Sequence, residues 1–242
     1  MLKKLIRLNL DDLWLTVGVV GGIFLLLHLG TALILYFLAA DERSSLLLSG
    51  VVLPITSAIL IAILSLGHTL LAFTSAVKFS QNRRRALGLT LGLVGFEAAC
   101  SMSFAALLTL LEREAAPRLW LWLTGAQGLD LGRGGQRFPV LPGADPLLVE
   151  DFSLAWWWFP LLAIAALLLG LIMGALILRL GRRGSWVLLV LWMALCFSPQ
   201  LLPWEASWFT FPWQYLAVGG GIIALACLGL SVGYLLRAPI QN

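Results

Sequence analysis

The third long apolar run of this chain carries an acidic residue, Glu97, well inside it, in the segment GLVGFEAACSMS. An ionised carboxylate inside a bilayer is costly unless it faces a cavity or a partner. At helical spacing Thr90, Glu97 and Ser101 share one face, so that face is predicted to point into the protein. Two hypotheses remain open. The face lines a substrate path or a proton-sensitive switch, or a neutral Glu97 forms a hydrogen bond across a helix pair and fixes its register.

The second apolar run offers a matching polar arc, because Ser57, Ser65 and His68 fall on one side of a helix. Two consecutive spans are antiparallel, which places His68 nearer the inner surface than Glu97 by about one to two helical turns. A direct contact between them then requires helix tilt or a bridging water. His28 is predicted at a different depth from His68, which argues against a shared haem.

Motifs of soluble enzymes are absent from the sequence. It contains no G-x-x-x-x-G-K-[ST], no H-E-x-x-H and no G-x-S-x-G. The cysteines Cys100, Cys196 and Cys227 lie inside apolar runs and are interpreted as small core residues. The sequence therefore predicts no catalytic residue, no metal site and no cofactor bound by this chain.

The composition indicates a membrane protein. Hydrophobic residues make up 60% of the 242 residues, charged residues only 12%, and the mean hydropathy is +0.96. Soluble domains carry about a quarter charged residues, so this chain has too few to cover a surface exposed to water. The net charge of +4 comes from short basic clusters between apolar runs, a distribution that argues against nucleic acid as a partner.

The apolar runs predict an all-α fold with six transmembrane helices in a single domain, residues 1–242. A short amphipathic helix over residues 1–12 is predicted to lie on the membrane surface before the first span. The connection Glu112–Phe152 is rich in glycine and proline and is predicted to be an external loop. The predicted spans cover about residues 13–39, 48–73, 86–111, 155–178, 185–202 and 215–236.

The distribution of basic residues predicts that both termini are cytoplasmic. In this orientation the cytoplasmic segments hold eleven lysines and arginines and the external segments hold five. The tryptophans agree, since an amphipathic ring is favoured at the membrane–water interface. Those predicted at the outer interface are Trp120, Trp122, Trp156, Trp157, Trp158, Trp204, Trp208 and Trp213.

The cytoplasmic connection between the second and third spans is strongly basic and reads VKFSQNRRRALG, Val77–Gly88. Two compatible interpretations apply to it. As a positive-inside anchor, it sets the topology and contacts the phosphates of membrane lipid. As a docking element, it binds a cytoplasmic partner.

With its basic amphipathic N-terminus, six predicted spans and a Phe-x-x-x-Arg-Arg loop, the chain resembles the permease subunits of ABC-2-type transporters. In that family the loop often reads Gly, aliphatic, Thr or Ser, Arg, then Arg or Lys, a few residues after an aromatic residue. In this chain Ser80 replaces the usual glycine, and Gln81 replaces the usual aliphatic residue. The places after Phe79 are filled by Ser80, Gln81, Asn82, Arg83 and Arg84.

The resemblance implies an exporter subunit without its own ATPase domain. Separate ABC ATPase subunits would bind ATP and Mg, and a second permease chain, identical or related, would complete the path for an amphiphilic substrate such as a peptide antibiotic, drug or lipid. The expected location is the plasma membrane of a bacterium. The expected contacts with the ATPase are Lys78, Phe79, Ser80, Gln81, Asn82, Arg83, Arg84 and Arg85, and the expected translocation path or polar network is Glu97, His68, Thr90 and Ser101.

Two other classes of function stay open. In the first, the chain is a non-transporting assembly or sensor subunit that docks a partner through its basic loop. A membrane-embedded enzyme acting on lipid or peptide ranks last, because the sequence shows no nucleophile, metal set or paired acids for it. The connection 112–152 is either an external gate or contact surface, or a partly ordered loop without a dedicated role.

Overall fold

The computed structural model describes residues 10–38, 45–48, 50–78, 82–133, 136–143, 145–181, 183–184, 186–187, 189–190, 193 and 225–236. The chain divides into two compact units. The first contains Met1–Ile61 and Gly95–Ala166, and the second contains Ala62–Val94 and Leu167–Asn242.

Long apolar helices make up most of the described chain. The helix α2, Val52–His68, continues through one π-helical segment, Thr69–Phe73, into the short helix α3, Thr74–Lys78. Within the described residues, four helical stretches are long and apolar enough to cross a membrane, as expected of a multi-pass membrane protein. The helices are α1 Leu10–Leu38, α2 Val52–His68, α3 Thr74–Lys78, α4 Arg83–Thr124, α5 Trp158–Leu180 and α6 Leu225–Leu236.

The first four predicted spans coincide with these stretches. Their ends agree to within about five residues, except for the end of the third span. The fifth, 185–202, is described only at residues 186–187, 189–190 and 193, which are helical. The sixth, 215–236, is described from residue 225 onward as α6. The count of six and the cytoplasmic termini therefore stay predictions, and the surface helix over 1–12 lies outside the described residues except for its last three, which belong to α1.

Helix α4 corrects the predicted end of the third span. It runs for 42 residues, to Thr124, so residues 112–124 are helical and not part of a loop. At 1.5 Å per residue it is about 63 Å long, twice the thickness of a bilayer core. Glu112, Ala116 and Trp120 recur every four residues and are all buried, so this extension is held by packing on one face even though it contains Pro117.

The connection 112–152 also contains three strands, which corrects the all-α prediction for this part of the chain. Together with a strand just before α2 they form one sheet in the order β1-β4-β2-β3. Strand β4 pairs in parallel with β1 and β2, whereas β2 and β3 are antiparallel. The strands are β1 Ser45–Leu48, β2 Gly128–Arg133, β3 Gln136–Leu141 and β4 Pro146–Asp151.

The sheet has one buried inner strand and one exposed edge. Burial alternates along β4, with Leu147, Val149 and Asp151 inward, as the two-residue period of a strand requires. Every residue of β3 is exposed, and Pro139 sits in this edge strand, where a missing N–H is tolerated. One hydrophobic cluster joins the sheet to the ends of α1 and α4: Leu35, Leu48, Ala116, Trp120, Leu129, Leu147 and Val149.

The second unit has a core of its own, in which glycine permits close helix contact. A Cβ atom added to Gly170 of α5 would lie 2.6 Å from Ser65 Cβ, and one added to Gly174 would lie 2.7 Å from Thr69 Cβ. Small residues allow such approach between membrane helices. The buried cluster consists of Phe73, Ala86, Leu87, Leu171, Ala175 and Leu235.

Candidate functional site

The basic turn, Lys78–Arg85, joins α3 to α4 in the second unit. Lys78 is exposed and ends α3, where a positive charge suits the helix C-terminus. Asn82 caps α4: its Oδ1 accepts a hydrogen bond from the Arg84 N–H at 3.2 Å, and its carbonyl oxygen accepts one from Ala86 at 2.9 Å. Within the described part of the turn, Asn82 therefore fixes where α4 begins.

Three arginines occupy the first turn of α4. Arg84 and Arg85 are exposed, and Arg83 is half-buried. Each positive charge at a helix N-terminus opposes the helix dipole, at a cost of about 0.3–1 kcal/mol. The stability of the helix itself therefore does not explain three positive charges at this end.

A cavity of about 380 Å³ lies beside these arginines. It is lined by Asn82, Arg83 and Arg84 together with Gly233 and Leu236 of α6. The basic turn thus offers a concave, positively charged feature. Phe79, Ser80 and Gln81, also expected to contact an ATPase, lie outside the described residues.

The polar face of α4 is buried in both units. In the first unit Glu97 and Ser101 are buried, and the Ser101 hydroxyl forms a hydrogen bond of 2.5 Å with the Ser57 hydroxyl of α2. That bond crosses between two helices and fixes their register. It supports a structural role for Ser101, one of the two hypotheses for this face.

Sequence reasoning missed Asp12 as a neighbour of Glu97. Carboxylate oxygens of the two residues lie within 4.8 Å of each other, inside the first unit. The sequence analysis placed Asp12 at the end of the surface helix over residues 1–12, and its proximity to a residue 85 positions away gave no signal in the sequence.

His68 and Thr90 belong to the second unit, and both are buried. His68 is the last residue of α2, immediately before the π-helical segment. The Thr90 hydroxyl donates to the carbonyl oxygen of Ala86 at 3.0 Å, within its own helix. Ser65, on the same arc as His68, instead crosses to another helix and donates to the Leu167 carbonyl at 2.8 Å.

A second group of buried charges lies in the first unit, where α4 extends beyond the predicted span. Glu112 and His28 approach each other, with Nε2 of His28 at 3.7 Å from Oε1 of Glu112. Asp151, whose side chain is fully buried, lies 3.7 Å from Arg113 and 3.5 Å from Arg133. The sequence analysis assigned Glu112 and Arg113 to an external loop, and the four-residue spacing of Glu112, Ala116 and Trp120 is a signal that could have found the helix here.

No family model, curated protein or solved structure matches this chain.

Proposed function

We propose that this chain is the permease subunit of an ATP-driven ABC exporter. It has six spans and cytoplasmic termini in a bacterial plasma membrane, and it pairs with a second permease chain, identical or related. Separate ABC ATPase subunits bind ATP and Mg and drive the export of an amphiphilic substrate. Alternating access then follows from a lever that moves membrane helices around a buried path.

The basic turn is the observation that carries the proposal. It is a capped helix start with three arginines that oppose the helix dipole, beside a cavity of about 380 Å³. It connects two of the helices that are long enough to span a membrane, Val52–Lys78 and Arg83–Thr124. A push on such a turn is transmitted directly to both helices, as a coupling element requires.

The buried polar residues suit the proposed path. In the first unit Glu97 is buried and the partly buried Asp12 lies near it, and in the second unit His68 and Thr90 are buried. Ionisable groups inside membrane helices are costly, which makes them candidates for a substrate or ion pathway.

The test reverses two charges of the basic turn, Arg83→Glu and Arg84→Glu together. The variant and the wild type are each co-expressed with an ABC ATPase, which is first sought among the adjacent genes, and the complex is isolated in detergent. We expect the variant to lose co-purification of the ATPase and stimulation of its ATP hydrolysis. Acidic residues suit a helix N-terminus, so α4 is expected to keep its stability and the loss is not attributable to unfolding.

Arg137→Glu provides the matched control, because Arg137 is an exposed arginine of β3 far along the chain from the turn. It is expected to leave co-purification unchanged. A double variant that still binds and stimulates the ATPase as the wild type does would contradict the proposal.

The four-stranded sheet favours a second candidate, a non-transporting sensor or assembly subunit. A simple connection between two spans does not need a sheet with an exposed edge strand such as β3. Both candidates bind a partner through the basic turn, so a different readout separates them. ATP-dependent accumulation of substrate in inverted vesicles supports the exporter, and partner binding without any transport supports the sensor.

A further inference from the structure

The cavity of about 380 Å³ beside the basic turn lies in the second unit, where the start of α4 meets the end of α6. Asn82, Arg83 and Arg84 form the polar part of its lining, and Gly233 and Leu236 of α6 form the rest. The volume is within the range of about 300–1,000 Å³ that small-molecule sites occupy. One concave surface thus combines positive charge with an apolar contact.

The second unit is strongly basic. Over its whole sequence Glu205 is the only acid, against eight lysines and arginines. The described residues of this unit contain no aspartate or glutamate, and their basic side chains are Lys78, Arg83, Arg84, Arg85, Arg179 and Arg183. A concave surface lined by charge of one sign concentrates ligands of the opposite sign, so this cavity favours an anion over a cation.

Arginine side chains, rather than the backbone of α4, supply the donors for such an anion. The N–H groups of Arg84 and Ala86 already donate to Asn82, the first to its Oδ1 and the second to its carbonyl oxygen. Arg84 is exposed, so a ligand can reach its guanidinium. The planar guanidinium group matches the oxygens of a phosphate with two parallel hydrogen bonds.

Helix α6 gives the cavity its open, apolar part. A Cβ atom added to Gly233 would meet no heavy atom within 4 Å, and Leu236 lies on the same helical face three residues later. The stretches Val52–Lys78 and Arg83–Thr124, which the basic turn joins, are both long and apolar enough to cross a membrane. A turn between two such helices lies at the level of the lipid headgroups.

We propose that this cavity binds a phosphate ester, with Arg84 as the principal cationic partner and Leu236 in contact with the apolar group of the ester. Basic pockets between membrane helices hold the headgroups of anionic lipids in this way. The site is more specific than the contact with lipid phosphates expected of any basic loop, because residues of α6 complete it.

The phosphate has two possible sources, an anionic phospholipid and a soluble phosphate, and both share the group that the arginine binds. The site does not depend on the proposed transport role, because binding is measured on this chain without an ATPase. A failure of the ATPase test therefore leaves this inference standing, and the reverse also holds.

The experiment measures equilibrium binding of fluorescent phosphatidylglycerol to the full-length chain in maltoside micelles, after subtraction of binding to empty micelles. We expect Arg84→Gln to weaken binding about fivefold or more, because it removes the charge that pairs with the phosphate. Arg183→Gln is the matched control: it removes an exposed arginine of the same unit that is not part of the lining. It is expected to change binding by less than about twofold.

A second variant keeps every charge and fills the cavity. Gly233→Leu is expected to fold, since the position has room for a side chain, and to weaken binding by occupying the space of the ligand. Gly229→Leu is its control, one turn earlier on α6, equally open and outside the lining, and is expected to leave binding unchanged.

Radiolabelled inorganic phosphate identifies the source. Binding of phosphatidylglycerol that depends on Arg84 indicates the lipid, whereas Arg84-dependent binding of inorganic phosphate alone indicates a soluble phosphate. The inference is overturned if neither probe binds above background, or if neither Arg84→Gln nor Gly233→Leu weakens binding. Equal weakening by Arg84→Gln and Arg183→Gln also overturns it, because the attraction is then a property of the whole basic surface.

Discussion

The strand region and the basic turn handle charge in opposite ways. In the strand region, which comprises β1–β4 and the end of α4, Asp151 is fully buried between Arg113 and Arg133. In the basic turn the arginines crowd a single helix start, and Arg84 and Arg85 are exposed. The first arrangement places one buried acid beside two arginines, whereas the second gathers three arginines at one helix start.

This difference explains which of the two regions sequence reasoning found. The basic turn is contiguous, so its charge is visible in the letters QNRRR. The ion pairs of Asp151 join residues 18 and 38 positions apart along the chain, and no local pattern predicts them. A charge cluster that is local in sequence suggests a partner, whereas one assembled by the fold suggests internal stabilisation.

The largest expected effect is in the strand region, at Trp120. This side chain is 1% exposed at the centre of the cluster that joins the sheet to α1 and α4. Trp120→Ala is expected to destabilise the protein by about 3–5 kcal/mol, because it leaves a large cavity. Thermal unfolding in detergent, followed by circular dichroism, measures the change.

Two neighbouring substitutions sharpen this prediction. Trp122→Ala removes a tryptophan that is 78% exposed and is expected to have little effect. Trp120→Phe keeps most of the volume, and the indole N–H of Trp120 has no hydrogen-bond partner among the described residues, so the loss is expected to be small. Equal destabilisation by Trp120→Ala and Trp122→Ala would refute the central role of Trp120.

An intermediate effect is expected from Asp151→Asn. The amide retains an oxygen for the Ser153 N–H, which donates to Oδ1 at 2.8 Å, but it removes the charge that two arginines face. Because both arginines are about half exposed, the cost is about 1–3 kcal/mol, less than for a fully buried pair. Hydrogen exchange of residues 128–151 is expected to accelerate.

Asp145 provides the comparison within the same region, since it is exposed just before β4. Asp145→Asn is expected to leave the exchange rates of the sheet unchanged. If the two asparagine variants behaved alike, the buried ion pairs would not contribute to the stability of the sheet.

The smallest effect is expected in the basic turn. Asn82→Ala removes the side-chain cap of α4 and is expected to cost about 1 kcal/mol, seen as faster hydrogen exchange confined to residues 83–87. Asn82→Asp keeps the acceptor oxygen and adds a charge that the helix dipole favours, so it is expected to preserve protection. Exchange that accelerates throughout α4 in Asn82→Ala would show that the cap supports more than the first turn.

Much of the helical architecture was predictable, because lipid imposes a simple rule. Every backbone polar group in a bilayer must be satisfied within its own segment, so long apolar runs become helices. This rule predicted the stretches that contain α1, α2, α4 and α5. It makes no prediction for less apolar segments, such as the continuation of α4 to Thr124 and the strands β2, β3 and β4 that follow it.

For the candidate site, likewise, some features were predictable from the sequence and others were not. The positions of Lys78 and the arginines at the start of α4 follow from local sequence, as does the helical face shared by Thr90, Glu97 and Ser101. The contacts between helices do not follow from local sequence. The hydrogen bond between Ser57 and Ser101, and the proximity of Asp12 to Glu97, depend on how the helices pack. His28 was considered only as a haem ligand, and its neighbour Glu112 was assigned to a loop.

The sequence by itself determined that this chain has long apolar helices separated by a basic turn, because hydropathy and charge act residue by residue. Only the tertiary structure decided that residues 112–124 extend a helix, that a sheet follows them, and that the carboxylate of Glu112 meets His28 in an apolar cavity. These features depend on contacts between residues far apart in the chain. Their free energy comes from packing and from the exclusion of water, which no local pattern encodes.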